Sequence, residues 1–277
     1  MRLSSNSYNI GKIFRLPTMP RVESSKRMLL LNRPLLLFGL TFLLLWLAAW
    51  IGMAIRSRQH ELPESMRADY GTIIGATLTL LGLLIGFTFS MATTRYDLRK
   101  SLEEEEANAI GTEYARVDFL PTGNASQVRA LLRQYTDLRI RFYTARDQAE
   151  LPRINADTAS MQNQMWAMVA AAAKLQPSPL SALTSSGMND VLNSQGYTQA
   201  AWWNRIPIAA WSLMFLIAVL SNLLLGYGMH GRAVVLSVVL PLAVSISFFL
   251  IADIDSPRGG VIRIQPQNLY AFAETLK

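Results

Sequence analysis

Four stretches of this chain carry no charge, and each is long enough to cross a bilayer. They cover 34–55, 70–94, 206–229 and 233–252, with lengths of 22, 25, 24 and 20 residues. About 20 apolar residues wound as a helix cross a hydrocarbon core of roughly 30 Å. A helix on the surface of a soluble domain shows a polar face every third or fourth residue, and none of the four does. The first is dense in leucine and holds Trp46 and Trp50. These runs predict an all-α membrane protein with four transmembrane helices, in contact with the lipid bilayer.

The charge distribution gives the expected topology. Only 16% of the 277 residues are charged, with a formal net charge of +7 and no cysteine. The missing cysteines exclude thiol enzymes, disulfide scaffolds and cysteine-based zinc or iron–sulfur sites. Residues 1–33 hold seven lysines and arginines against Glu23, a net +6, while 56–69, 95–205 and 253–277 each sum to zero. An excess of positive charge ahead of the first span marks the cytoplasmic side. The chain then divides into a basic cytoplasmic tail (1–33), a first transmembrane pair (34–94), a cytosolic domain (95–205), a second pair (206–252) and a cytoplasmic C-terminal segment (253–277). Both termini are expected inside a bacterial inner membrane. The balanced charge of the cytosolic domain excludes a nucleic-acid partner, for which a basic face would be needed.

Residues 95–205 read as a helical hairpin or bundle. Breaks are expected at Pro121/Gly123, Pro152, Pro177/Pro179 and Gly196. Between them, Val128, Leu131, Leu132, Tyr135, Leu138 and Phe142 recur at helical spacing, as do Met161, Met165, Trp166, Met168 and Val169. The second span does not stop at the membrane surface. No proline occurs from Phe87 through Leu120, and Leu98, Leu102, Ile110, Tyr114 and Val117 continue an apolar stripe. One helix of about 50 residues, about 75 Å long, would join membrane and cytosol. Arg99–Glu103 and Lys100–Glu104 are spaced to pair along it.

Several features could carry function. Gly71, Gly75, Gly82 and Gly86 lie on one side of the second span, as GTIIG and GLLIG. Small residues at this spacing suit close helix packing, whereas the side bearing Leu83, Phe87 and Ser90 suits a pore lining. In the run Glu103–Glu104–Glu105–Glu106, Glu106 lies between Leu102 and Ile110 on the apolar stripe. A half-buried carboxylate there needs a partner: Asn108, an arginine from 129–141, or a hard cation. Asp253 and Asp255 suit a capped turn leaving the fourth span, or an ion site shared with the acidic run. Ser221 and Asn222 lie mid-span, and Pro241 is expected to kink the fourth span. His60 and His230 are too few for a metal site. No nucleotide, hydrolase or metalloprotease motif occurs, so neither an enzyme nor a cofactor is expected.

Three segments resemble the bestrophin-like domain of bacterial membrane proteins: LGLLIGFTFSMATTRYDLRKSLEEEEANAIGTEYARVDFLP (81–121), LLRQYTDLRIRFY (131–143) and DIDSPRGGVIRIQP (253–266). The resemblance covers most of 70–270 and implies a distant relation to the bestrophins, pentameric anion channels whose second helix lines a hydrophobic neck. Phe87 and Phe89 followed by Arg95, Tyr96, Asp97 and Arg99 are similar in order to the neck and membrane exit of that helix. The tryptophan pair that follows the exit in bacterial bestrophins is missing, and the acids at 253–255 are loosely similar to the calcium-sensing acids of animal members. The resemblance implies a homo-oligomer passing small anions. Leu83, Phe87, Phe89 and Ser90 would line the pore, and Arg95 and Arg99 would attract anions at its inner mouth. The alternative is a non-conducting membrane scaffold or sensor whose cytosolic bundle binds a partner protein.

Overall fold

A computed structural model describes residues 33–58, 64–229 and 236–276. The basic tail up to residue 32, His60 and His230 lie outside the described residues. All regular structure among the described residues is helical. In chain order these are α1 (Pro34–Ser57), α2 (Glu64–Arg116), α3 (Thr122–Thr144) and α4 (Leu151–Leu175). Then follow α5 (Pro179–Trp203), α6 (Ile208–Gly228), α7 (Leu236–Asp255) and the short α8 (Gln267–Thr275). Among the described residues, four helices are long and apolar enough to cross a membrane, matching the four uncharged runs.

The breaks follow local chemistry. Pro121 precedes α3, while Pro152 and Pro179 occupy the first turns of α4 and α5, where a missing N–H costs nothing. Ser178 closes a capping box with Ser181 at the start of α5. Gly196 does not break the chain, because α5 runs through it to Trp203. Pro241 lies inside a continuous α7. Ser221 and Asn222 need no partner helix for their donors. Ser221 Oγ bonds back to the Ile217 carbonyl at 2.8 Å, and Asn222 Nδ2 to that of Ala218 at 2.8 Å.

Two cores result. In the membrane part, Leu45 of α1, Leu81 of α2, Met214 of α6 and Phe248 of α7 are among the buried residues, with Phe215 and Phe248 packed edge to face at 4.9 Å. In the extramembrane part, α3 contributes Val128, Leu132, Tyr135 and Phe142, α4 contributes Met165 and Val169, and α5 contributes Met188 and Val191. The expected stripes of α3 and α4 therefore face inward. α2 belongs to both cores. Its 53 residues give a length of about 80 Å, so one rigid rod leaves the membrane and enters the helical body.

The tight helix contact inside the chain is not the one the glycine pattern suggested. Gly52 of α1 lies against the backbone of α6, where a Cβ would sit 2.7 Å from Tyr227 N, and Gly226 of α6 lies against Ala49, with a Cβ 2.9 Å from its Cα. Nothing in the chain comes within 4 Å of a Cβ added at Gly71, Gly75, Gly82 or Gly86. Their expected packing role is therefore not met within the protomer. Substituting Gly52→Val or Gly226→Val should force α1 and α6 apart and cost about 1–3 kcal/mol. Gly75→Ala should leave protomer stability unchanged. Thermal unfolding of the purified variants in detergent checks the contrast.

Candidate functional site

The surface of α2 divides into two sides with different chemistry. Toward the other spans it buries Leu81, Thr88 and Ala92. Away from them it bares Leu83, Phe87 and Ser90, spaced four and three on one face, with Phe87 64% exposed. Thr79 and Thr94 donate their hydroxyls to the Gly75 and Ser90 carbonyls at 2.8 and 2.9 Å, so these two donors are satisfied within the helix. Successive helical residues turn by about 100°, which sets Phe87 and Phe89 about 200° apart. Phe89 falls on the glycine side, so the two rings lie on different sides of α2. Phe87 stays with Leu83 and Ser90.

The two arginines expected at a pore mouth are turned inward. Arg99 is fully buried, its Nε donating to the Ala201 carbonyl at 3.1 Å and its Nη2 to that of Asn204 at 2.9 Å. It caps the C-terminus of α5, where a cation meets the negative end of the helix dipole. Arg95 leans on Asp255 at 3.7 Å. On the outward side beyond the span, the exposed charges are instead Asp97, Lys100, Glu104 and Glu105.

The inward side of the α2 extension is lined with charge, each group matched to a different element. Glu103 is buried and accepts from Leu269 N at 3.0 Å and Asn268 Nδ2 at 2.7 Å, capping the N-terminus of α8. It therefore does not pair with Arg99, and the solvated part of the acidic run shrinks to Glu104 and Glu105. Glu106 takes the ion-pair alternative: its partner is Arg139 of α3, both side chains fully buried, Nε bonding one oxygen and Nη2 the other at 3.4 Å. Tyr143 Oη and Thr198 Oγ1 add bonds of 3.0 and 3.2 Å, while Asn108 is exposed and takes no part. Burial alone would lower the Arg139 pKa, but the Glu106 carboxylate together with Tyr135 and Tyr143 outweighs it and the net direction is upward. Sequence reasoning missed Glu113, buried against Gly187 of α5 with no hydrogen-bond partner among the described residues. Burial raises its pKa to about 8, with Arg116 opposing and Asp190 adding to the shift.

Asp253 and Asp255 act as structural acids. Asp253 accepts from Val261 N at 2.7 Å and Ile262 N at 2.8 Å, closing the turn after α7. Gly260 is required there, because a Cβ would lie 2.6 Å from the Asp253 carbonyl. Asp255 takes Arg205 Nε and Ile206 N, both at 3.3 Å. Neither joins the acidic run, and no group of three or more metal-ligating side chains occurs among the described residues.

Two of these buried acids have measurable consequences. Glu106→Gln leaves Arg139 an uncompensated buried charge and should destabilise by about 3–5 kcal/mol, whereas Glu106→Met with Arg139→Met should recover most of that loss. Denaturant unfolding of both variants checks the pair. Glu113 works in the opposite direction. Its raised pKa means that the folded state holds a proton the unfolded state releases, so stability falls as pH rises from 4.5 to about 8. In Glu113→Gln that decline should flatten, which melting temperatures measured across the same pH range would reveal.

The fold and sequence have clear relatives. The bestrophin-like domain matches residues 39–269. A bacterial bestrophin homologue from Klebsiella pneumoniae carrying a tryptophan-to-alanine substitution aligns with a TM-score of 0.61 at 15% identity, over 86% of this chain and 93% of its own. A second structure of a homologue from that organism gives 0.58 at 16%, over 86% and 94%. No curated protein matches the sequence. At such identities the solved structures establish the shared helical fold, and the domain match extends across nearly all of the spans and body described above. The chain belongs to the bestrophin-like family of membrane proteins.

Proposed function

We propose that the protein is a homo-oligomeric channel for small ions, built from several copies of α2 around a pore, with five copies as in bestrophins. The observation that carries this reading is the outward side of α2. Within one protomer Leu83, Phe87 and Ser90 cover nothing, and the glycine side beside them is bare. In a ring, Leu83, Phe87 and Ser90 face the axis, and Phe87 forms a hydrophobic constriction of the kind that gates by dewetting. The glycine side, with Phe89, meets the neighbouring copy, where small residues allow backbones to approach. The charge of the +6 tail favours an inner-membrane protein with both termini and the helical body in the cytoplasm.

Chloride-type selectivity rests on kinship with bestrophins alone, because Arg99 is enclosed and Arg95 is drawn to Asp255. The exposed Asp97, Glu104 and Glu105, against Lys100, give the inner mouth a negative surplus that opposes anion entry. We therefore expect weak discrimination between small anions and cations.

Purified protein in mild detergent should run as an oligomer larger than a dimer. A monomer or dimer would return the reading to a scaffold or sensor that binds a partner protein. In proteoliposomes under a salt gradient, Phe87→Ala should raise ion flux severalfold and Phe89→Ala should raise it far less. Equal effects of the two would sink the assignment of the constriction.

A further inference from the structure

A cavity of about 560 Å³ lies beside the membrane boundary, outside the α2 surface. Its walls come from the ends of α3 and α5, the start of α4 and the turn after α7. Phe142, Leu151, Pro152, Trp202 and Trp203 make it apolar and aromatic. Its charged lining residues are Arg205 and Arg258, and no carboxylate lines it. The volume and the mixture of apolar wall with few polar groups fit a small-molecule site.

Arg258 has an unusual setting. Its guanidinium lies 4.1 Å from the Trp202 ring centre and 4.6 Å from that of Phe142, held by cation–π attraction on both. Nη1 donates to the carbonyls of Phe142 at 2.6 Å and Ala145 at 3.4 Å. No carboxylate among the described residues pairs with it, unlike Arg139 or Arg205. Burial and the like charge of Arg139 lower its pKa to about 10, so it remains a cation at neutral pH. Two further polar groups on lining residues are buried without a partner: the Trp202 Nε1 donor, on a side chain only 5% exposed, and the Asn155 Oδ1 acceptor. At the start of α4, Leu151 N donates to the Gln148 carbonyl at 3.4 Å, Ile154 N donates to that of Glu150 at 3.0 Å and Pro152 has no N–H, so Arg258 is the group left to meet an anion. Glu150 just ahead of it lines a separate groove.

We propose that this cavity binds an organic phosphate, its head group held by Arg258 and its apolar body laid against the aromatic wall. The guanidinium edge left free by the two carbonyls suits a phosphate fork, and an anion supplies the counter-charge that the chain itself does not. The head group could come from a lipid, since Arg205 lies three residues before the start of α6 and Ser256 follows α7 directly, or from a soluble phosphate ester. Binding here is independent of conduction and is read without any flux.

The full-length protein in mild detergent can be titrated with phenyl phosphate, with dihexanoylphosphatidylglycerol and with inorganic phosphate while tryptophan emission is followed. Trp202 and Trp203 report on the cavity. A saturable response is expected to at least one organic phosphate, with inorganic phosphate about tenfold weaker or worse. A response to phenyl phosphate alone assigns a soluble source, and a response to the phospholipid alone assigns a lipid. Arg258→Gln should weaken binding about tenfold or more. That variant also loses the bonds to Phe142 and Ala145, so Gln148→Glu, at an exposed lining position, provides a second check. It should weaken binding with an unchanged melting temperature. No saturable response to any of the three, equal affinity for inorganic phosphate, or unchanged affinity in Gln148→Glu would each overturn the proposal.

Discussion

The buried pair of Glu106 and Arg139 is the constraint around which the extramembrane body is arranged. A rod about 80 Å long that leaves the membrane needs a reason to bury one side, and apolar residues would let it slide or rotate against its neighbours. Two fully buried opposite charges admit far fewer arrangements, because a displaced partner leaves an ion uncompensated in an apolar interior. Tyr143 and Thr198 then tie the same carboxylate to α3 and α5. The other inward charges of α2 extend the scheme. Arg99 fixes the end of α5 and Glu103 the start of α8, so registration of the rod is distributed over α3, α5 and α8, the last two held at a terminus.

That division of α2 was legible in part. The spans were readable because an uncharged run of 20 or more residues has few other uses. Glu106 was readable because Leu102 and Ile110 bracket it at helical spacing, and its partner lay within the arginines expected. Glu103 was not, since its partners are Asn268 and Leu269, far along the chain, and the local pattern offered Arg99 instead. Arg99 was misjudged for the same reason, as a nearby acid in sequence gives way to the carbonyls of a helix end in space. Glu113 had no sequence signal at all, because what buries it is the missing side chain of Gly187.

The glycines carry a similar lesson. A repeated GxxxG on α2 is conspicuous, whereas Gly52 shares α1 only with the distant Gly39 and Gly226 shares α6 only with Gly228, so neither forms that motif. Yet the latter two allow α1 and α6 to touch backbone to backbone, since a contact depends on which helix lies opposite and not on how often glycine recurs. Phe87 and Phe89 show the complementary effect. Two positions apart in sequence looks like one site, while the helix turns them to nearly opposite sides.

The membrane boundary has its own organising group. The chain crosses between spans and body at the exit of α2, at the approach to α6 and at the exit of α7, and Asp255 touches all three through Arg95, Arg205 with Ile206, and its own place at the end of α7. Asp253, one turn-forming acid earlier, fixes the path of the chain beyond by accepting from Val261 and Ile262. Arg258 sits inside that closed turn, stacked on residues of α3 and α5. The turn after α7 is therefore held at both ends by carboxylates and in the middle by a cation on an aromatic wall. Any relative movement of α2, α6 and α7 at this level has to break the contacts of Asp255. This makes the boundary a tightly tied level of the chain, in contrast to the outward side of α2, where Leu83 and Phe87 are covered by nothing among the described residues.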